Sequence, residues 1–218
     1  MRIALDGPAG AGKSTVAKAI AKELDILYLD TGAMYRAVAL YMLEHDIPLE
    51  DEDAVRAALP QTRLRVAYEN GAQAVYLGER NVSTAIRENH VSAAASAYSA
   101  LPCVREFLVA MQRQTAQKND CILDGRDIGT CVLPDAEFKF YLTADASERA
   151  KRRQKDLEAK GQSVPFEQLL EEIRKRDYDD SHRAVSPLKQ AEDAVLVDST
   201  HMTADEVIAW ILSRIKGA

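Results

Sequence analysis

The 218-residue sequence has no uninterrupted apolar stretch long enough to cross a bilayer, and its opening, MRIALDGPAG, carries no apolar run of signal-peptide length. Neither a membrane partner nor a secretory leader is expected. Aromatic residues make up only 6% of the chain, which leaves few platforms on which single-stranded nucleic acid would stack. Positive charge is short as well: 28 Lys and Arg stand against 34 Asp and Glu, a net of −6. A broad nucleic-acid surface needs a basic excess to release counterions, so no nucleic-acid partner is expected. Cysteines are few and odd in number; Cys103, Cys121 and Cys131 show no metal-ligand spacing and read as reduced, mostly buried thiols of a cytoplasmic protein. No Asn-Lys-x-Asp segment is present to read guanine, which disfavours a GTPase switch. Apolar residues are plentiful at 47%, enough for one sizeable core.

Short apolar runs alternate with helical patterns: RIALD at the start, ILYLD ending at Asp30, CILD ending at Asp124, FKFYL ending at Leu142 and AVLVD ending at Asp198. Such runs predict an α/β fold whose central parallel sheet of five strands is buried on both faces by flanking helices. Residues 63–82 differ, with alternating polarity, an Asn70–Gly71 turn and a second turn near Gly78–Glu79; they predict a small antiparallel ribbon. Residues 147–183 are charged and helix-forming, broken only around KGQSVP. Thr203 and Glu206 form a capping box for a terminal helix. The expected organisation is a core of residues 1–37, 91–145 and 184–218, an insertion over 38–90, and an arginine-rich helical lid over 146–183.

The segment GPAGAGKST, from Gly7 to Thr15, has the spacing of a phosphate-cradling loop between a strand and a helix. Its glycines at 7, 10 and 12 let backbone N–H groups turn inward, and the helix from about Lys13 aims its positive end at the same place. Lys13 would bridge the β- and γ-phosphates of a nucleotide, and the Ser14 hydroxyl would ligate Mg²⁺.

Two further loops follow strands, where open α/β sheets bind their ligands. In LDTGAMYRA, Thr31 and Gly32 close the second strand, and Arg36 on the next helix would clamp a second phosphate. In LDGRDIGT, Arg126 and Asp127 stand after a buried strand between two glycines and would face the same cleft. Arg149, Arg152 and Arg153, spaced i, i+3, i+4, share one helix face, and Arg176, Asp180 and Arg183 share another. Such stripes repel themselves unless polyanions visit. For Arg176 and Asp180 a plain surface ion pair is an equal alternative.

The segments IALDGPAGAGKST, LDTGAMYR, ASAYSALPCVRE, DGRDIGT, ERAKRRQ, RDYDDSHRAVSPL and LVDST resemble, in order, those of the bacterial cytidylate kinases. These are small P-loop (d)CMP kinases of the nucleoside-monophosphate kinase group. LDTGAMYR together with DGRDIGT is the specific part. The resemblance implies that Gly7, Pro8, Ala9, Gly10, Ala11, Gly12, Lys13, Ser14 and Thr15 hold ATP. It implies that Arg36, Arg126 and Arg183 grip the CMP phosphate, with Thr31 and Tyr35 beside them. Ser96, Arg105 and Asp127 would line the cytosine, Arg176 and Asp180 would meet the ribose, and Arg152 and Arg153 would belong to the lid. Asp124 would assist Ser14 at Mg²⁺ through a water. The loop ends Lys-Ser-Thr where some relatives carry Lys-Gly-Thr, which keeps the hydroxyl of Ser14.

The implied reaction moves the γ-phosphoryl group of ATP to CMP or dCMP. Cytosine presents an amino donor where uracil presents a carbonyl, and a carboxylate only accepts, so Asp127 would favour the first. A kinase of the same scaffold with another acceptor is one rival; a non-catalytic nucleotide sensor is the second. With no long apolar seam along the sequence, a monomer is expected.

Overall fold

All five apolar runs form strands of one sheet. The computed structural model describes residues 1–69, 71–159 and 161–217. The strands are β1 (Arg2–Asp6), β2 (Leu27–Asp30), β6 (Cys121–Gly125), β7 (Phe138–Thr143) and β8 (Val195–Asp198). Between β2 and β6 lie β3 (Leu64–Glu69), β4 (Ala72–Leu77) and β5 (Arg80–Asn81), which form a separate antiparallel sheet. The large sheet is ordered β2-β6-β1-β7-β8, with β1 at its centre. β1 runs parallel to β6 with Asp6 opposite Gly125, and parallel to β7 with Asp6 opposite Tyr141. The segments after β1 and β6 therefore leave from adjacent strand tips.

The helices are α1 (Lys13–Leu24), α2 (Thr31–Glu44), α3 (Glu52–Ala58), α4 (Asn89–Tyr98), α5 (Pro102–Lys118), α6 (Ala146–Glu158), α7 (Phe166–His182) and α8 (Ala204–Lys216). Two compact units emerge: Met1–Tyr28 with Asn119–Ala218, and Leu29–Lys118. Residues 91–118, grouped by sequence with the core, cluster with the second unit.

In the first unit Ile3, Leu5, Ile122, Phe140 and Leu142 of the sheet pack with Val16 and Ile20 of α1 and Val207 and Ile211 of α8. α8 enters this core from a complete capping box: the Thr203 hydroxyl accepts from Glu206 N at 3.3 Å, and Glu206 Oε2 accepts from Thr203 N at 2.8 Å. α6 and α7 pack on each other through Ala150, Leu169, Leu170 and Ile173. They are the helices expected on either side of KGQSVP, within which Lys160 lies outside the described residues.

β8 departs from the expectation of strands buried on both faces. It is an edge strand, and Val195 and Leu196 are 41% and 53% exposed. An apolar run does not distinguish a central strand from an edge one.

In the second unit β3 pairs with β4 from Leu64↔Leu77 to Glu69↔Ala72, the ribbon that alternation predicted. Gly71 follows Asn70, which lies outside the described residues.

Candidate active site

In the first unit the phosphate loop begins under a steric constraint. Gly7 has φ +147°, and a Cβ there would lie 1.9 Å from the Leu142 carbonyl oxygen of β7, so only glycine fits the tip of β1. Gly12, at φ 90°, stands before α1, whose first turn carries Lys13 and Ser14. Lys13 is buried, and its Nζ donates to the Pro8 carbonyl at 2.7 Å. Burial and then the charge of Arg126 hold the Lys13 ammonium well below the usual lysine range, against the pull of Asp124 and Asp6. The charge of Arg126 thus reaches Lys13, consistent with two segments leaving adjacent strand tips. Two cations so arranged favour an anion between them.

Ser14 remains exposed, and its hydroxyl donates to Asp124 Oδ2 at 2.7 Å; Tyr28 donates to Oδ1 of the same carboxylate at 3.2 Å. A hydroxyl and a carboxylate are hard oxygen ligands suited to Mg²⁺, which takes one or two protein oxygens and completes its shell with phosphate and water. Among the described residues no cluster of three or more His, Cys, Asp or Glu side chains forms an all-protein metal cage.

After β6, Arg126, Asp127, Asp180 and Arg183 form one charged network. Arg126 Nε donates to Asp180 Oδ2 at 2.8 Å. Arg183 lies 3.7 Å from Asp127 Oδ1 and 4.0 Å from Asp180 Oδ1, and its Nε donates to the Ser186 carbonyl at 2.5 Å. Burial pushes the Asp180 carboxyl up, but Arg126, Arg176 and Arg183 together take it below the usual carboxylate range. Burial opposes the Arg126 charge, and Asp180, Asp124 and Asp6 outweigh it. Asp180 is therefore a buried partner of Arg126 rather than half of a surface pair on α7. Asp127 is buried, and beyond it residues Ile128–Val132 make one wide helical turn in which Val132 N reaches back to the Asp127 carbonyl at 3.1 Å. Wide turns of this kind recur at functional sites.

The predicted arginine stripe on α6 divides into three environments. Arg149 is buried: Nε donates to the Ala144 carbonyl at 2.8 Å, Nη1 to the Ala9 carbonyl at 3.0 Å, and both Nη atoms to the Asp177 carboxylate at 2.9 and 2.5 Å. Arg152 donates to the Ser199 carbonyl at 2.6 Å, and Arg153 is exposed. The repulsion expected of a stripe is absorbed locally, because Arg149 has its own carboxylate. Asp177 is one residue missed by sequence reasoning; its spacing from the other α7 charges gave no hint that it turns toward α6.

In the second unit, the apolar run ends at Asp30 as expected, but Thr31 and Gly32, expected to close the strand, do not belong to it. β2 ends at Asp30, and Thr31 and Gly32 already belong to α2, because Asp30 Oδ1 caps the helix by accepting from Ala33 N at 2.9 Å. Asp30 Oδ2 accepts from Arg36 Nη2 at 2.9 Å. A Cβ on Gly32 would lie 3.1 Å from Arg36 Nη1 and 3.2 Å from Asp30 Oδ1, so the small residue leaves room for this pair. Arg105 of α5 is buried, donates to the Ser99 carbonyl at 3.2 Å, and lies 5.5 Å from the centroid of the Tyr35 ring. Ser96 of α4 is half-buried, its carbonyl accepting from the Ser99 hydroxyl at 2.8 Å. The loop around Ser99 thus connects Ser96 to Arg105, and Arg105 to Tyr35, while Thr31 is buried at the start of α2.

The family described as cytidylate kinase matches residues 3–217. The chain belongs to the cytidylate kinase family. A cytidylate kinase of Carboxydothermus hydrogenoformans is 49% identical over 215 residues, covering 99% of this chain and 97% of its own. One of Streptococcus pneumoniae is 50% identical over 212 residues, covering 97% and 95%. Among solved structures, an uncharacterized protein from Eubacterium ventriosum aligns over 100% of this chain and 99% of its own with a TM-score of 0.55 at 14% identity. A shikimate kinase from Bacteroides thetaiotaomicron aligns over the same shares with a TM-score of 0.50 at 13% identity. These two share the fold.

Proposed function

We propose that the protein transfers the γ-phosphoryl group of ATP to CMP or dCMP, giving ADP and CDP or dCDP. Membership of the cytidylate kinase family supports the acceptor. The observation that carries the chemistry is the placement of Lys13 and Arg126 on segments that leave the adjacent tips of β1 and β6.

Residues 7–15 hold the ATP phosphates on inward N–H groups and on Lys13, which exchanges the Pro8 carbonyl for phosphate oxygen. Ser14, with Asp124 through a water, would hold Mg²⁺, which when bound would supply positive charge to the donor phosphates. Arg126 and Arg183 grip the acceptor phosphate, and we assign Arg36 to the same anion. Arg152 and Arg153 add positive charge from α6. The acceptor oxygen is already ionised at neutral pH, so the protein aligns donor and acceptor and neutralises the equatorial oxygens without a general base. α6 and α7 act as a lid that keeps water from the γ-phosphate.

For the base, Asp127 accepts from the cytosine amino group, and we assign Ser96 and Arg105 to cytosine recognition as well. Asp180 and Arg176 take the ribose, and Thr31 and Tyr35 flank the acceptor. We further propose that the enzyme works as a monomer in the cytoplasm, where the buried thiols Cys103 and Cys121 stay unbridged. Among the described residues, no helix is long and apolar enough to cross a membrane.

A coupled assay of ADP formation tests the reading. CMP and dCMP should drive rapid turnover, and UMP much less. Turnover with UMP or AMP but not CMP would replace the acceptor, and no acceptor-dependent ADP at all would leave only a nucleotide sensor.

A further inference from the structure

Asp6 is the buried carboxylate for which the proposed chemistry has no task. It is 4% exposed at the C-terminal tip of the central strand, directly before Gly7. Its side chain turns toward the segment after β6, where Oδ1 accepts from Ile128 N at 2.8 Å and Oδ2 from Gly129 N at 2.7 Å. Burying a carboxylate is costly unless donors satisfy it, and here both donors belong to the wide turn that follows Arg126 and Asp127. An ionised carboxylate is acceptor-only, which matches two N–H groups without conflict.

Gly129 completes the arrangement from the other side. A Cβ at that position would lie 3.4 Å from Asp6 Oδ2, 3.3 Å from Lys139 Cδ and 3.5 Å from Ala191 Cβ. A methyl group there would touch the carboxylate at van der Waals distance and press on Lys139 Cδ by a few tenths of an ångström, so the peptide sits close against Asp6. The contact joins residues 122 and 123 positions apart in sequence, so no local turn preference explains it.

We infer that Asp6 is a positioning residue for the acceptor: it fastens the 128–129 peptide to the root of the phosphate loop and so fixes where Arg126 and Asp127 stand relative to the donor phosphates. This rests on the acceptor reading given above. The geometry makes the central strand a common origin for both ligands, because Gly7 continues from the backbone of Asp6 and the 126–129 segment hangs from its side chain. Relaxing that attachment moves Asp127 and Arg126 while leaving the phosphate loop itself intact.

Asp6→Asn tests this with little change in volume, since one carboxylate oxygen becomes an NH₂ group aimed at an N–H donor. Leaving one buried donor unmatched corresponds to about tenfold in an equilibrium. We expect the KM for CMP to rise about tenfold and the CMP-over-UMP preference in kcat/KM to fall by a similar factor, while ATP binding by titration changes less than about threefold. Amide exchange at Ile128 and Gly129 should accelerate. Gly129→Ala, whose Cβ would press on Lys139 Cδ and touch Asp6 Oδ2, should shift the peptide by a few tenths of an ångström and give the same kinetic pattern more weakly, and it decides the matter if Asp6→Asn does not fold.

Unchanged amide exchange, or lost protection with unchanged CMP kinetics in the folded variants, overturns the inference. So does an equal loss of ATP and CMP binding. A parent enzyme that turns over UMP as well as CMP would instead overturn the base reading, and the exchange measurement would still judge the anchor.

Discussion

Arg149 and Asp177 meet fork to fork, with both terminal guanidinium nitrogens on one carboxylate and the same guanidinium also on the carbonyl of Ala9. Through this pair α7 is joined to the phosphate loop. The two members are unequally buried, with side-chain exposures of 5% for Arg149 and 28% for Asp177. Removing the partner of the more buried charge is therefore the costlier change. Asp177→Ala should destabilise by about 3 kcal/mol and Arg149→Ala by less, as measured by denaturant unfolding. The reverse order would mean that the pair's contribution lies in its contacts with the carbonyls. Arg149→Lys should recover little of the loss, since an ammonium cannot reproduce the fork.

Asp127→Asn should reduce discrimination between CMP and UMP by about 10–100-fold, because an amide can turn a donor toward the uracil carbonyl. ATP affinity should stay near that of the parent. Competition kinetics with the two monophosphates measures the ratio directly, and an equal loss for ATP and CMP would remove Asp127 from base reading.

Arg126→Ala should lower kcat by about 10²–10³-fold if the guanidinium stabilises charge on the transferring group. It also takes from Asp180 its hydrogen-bond donor Arg126, leaving only the charges of Arg176 and Arg183 beside that carboxylate. Asp180→Asn in the Arg126→Ala background separates the two effects: stability should partly return while kcat does not. Recovery of kcat would assign the defect to the carboxylate of Asp180.

The pH dependence of stability should carry the mark of Asp6. Burial raises its pKa from 3.8 to about 6, even against the two backbone hydrogen bonds. Between those values the folded protein holds a proton that the unfolded chain has released. Stability from this group therefore falls as pH rises through the window, by up to about 1.4 kcal/mol per pH unit. Asp180, whose pKa is lowered from 3.8, acts in the opposite sense and only below that value. Asp6→Asn should flatten the unfolding free energy between pH 4 and pH 6 relative to the parent. A constant offset at every pH would show that Asp6 does not titrate there.

Much of this was legible in the sequence because it is local. Strand identity follows from RIALD and CILD, the phosphate loop from the spacing of Gly7, Gly12 and Lys13, and the terminal helix from Thr203 and Glu206. What the sequence did not disclose are partners chosen by the tertiary fold. Asp177 looks like any charge on α7 until α6 packs beside it, and Asp180 reads as a neighbour of Arg176 or the ribose, with nothing local to announce the hydrogen bond from Arg126. The exposure of Val195 and Leu196 depends on strand order, which no apolar run records. One signal was present and unread. Asp6, Asp30, Asp124 and Asp198 all stand at or beside the C-terminal ends of apolar strands, and each accepts a hydrogen bond there, from Ile128, Ala33, Ser14 and Thr200 respectively. A carboxylate ending a buried strand is a reason to look for the loop that it holds.

The contact between Lys13 and Pro8 bears on what nucleotide arrival gains. The ammonium already owns an oxygen acceptor, so the incoming phosphate substitutes one bond for another and leaves their number unchanged. The advantage is the difference between a neutral dipole and a full anion in a site short of water. Lysine's share of binding should accordingly scale with the charge on the terminal phosphate, and a donor analogue carrying one negative charge fewer should lose most of it.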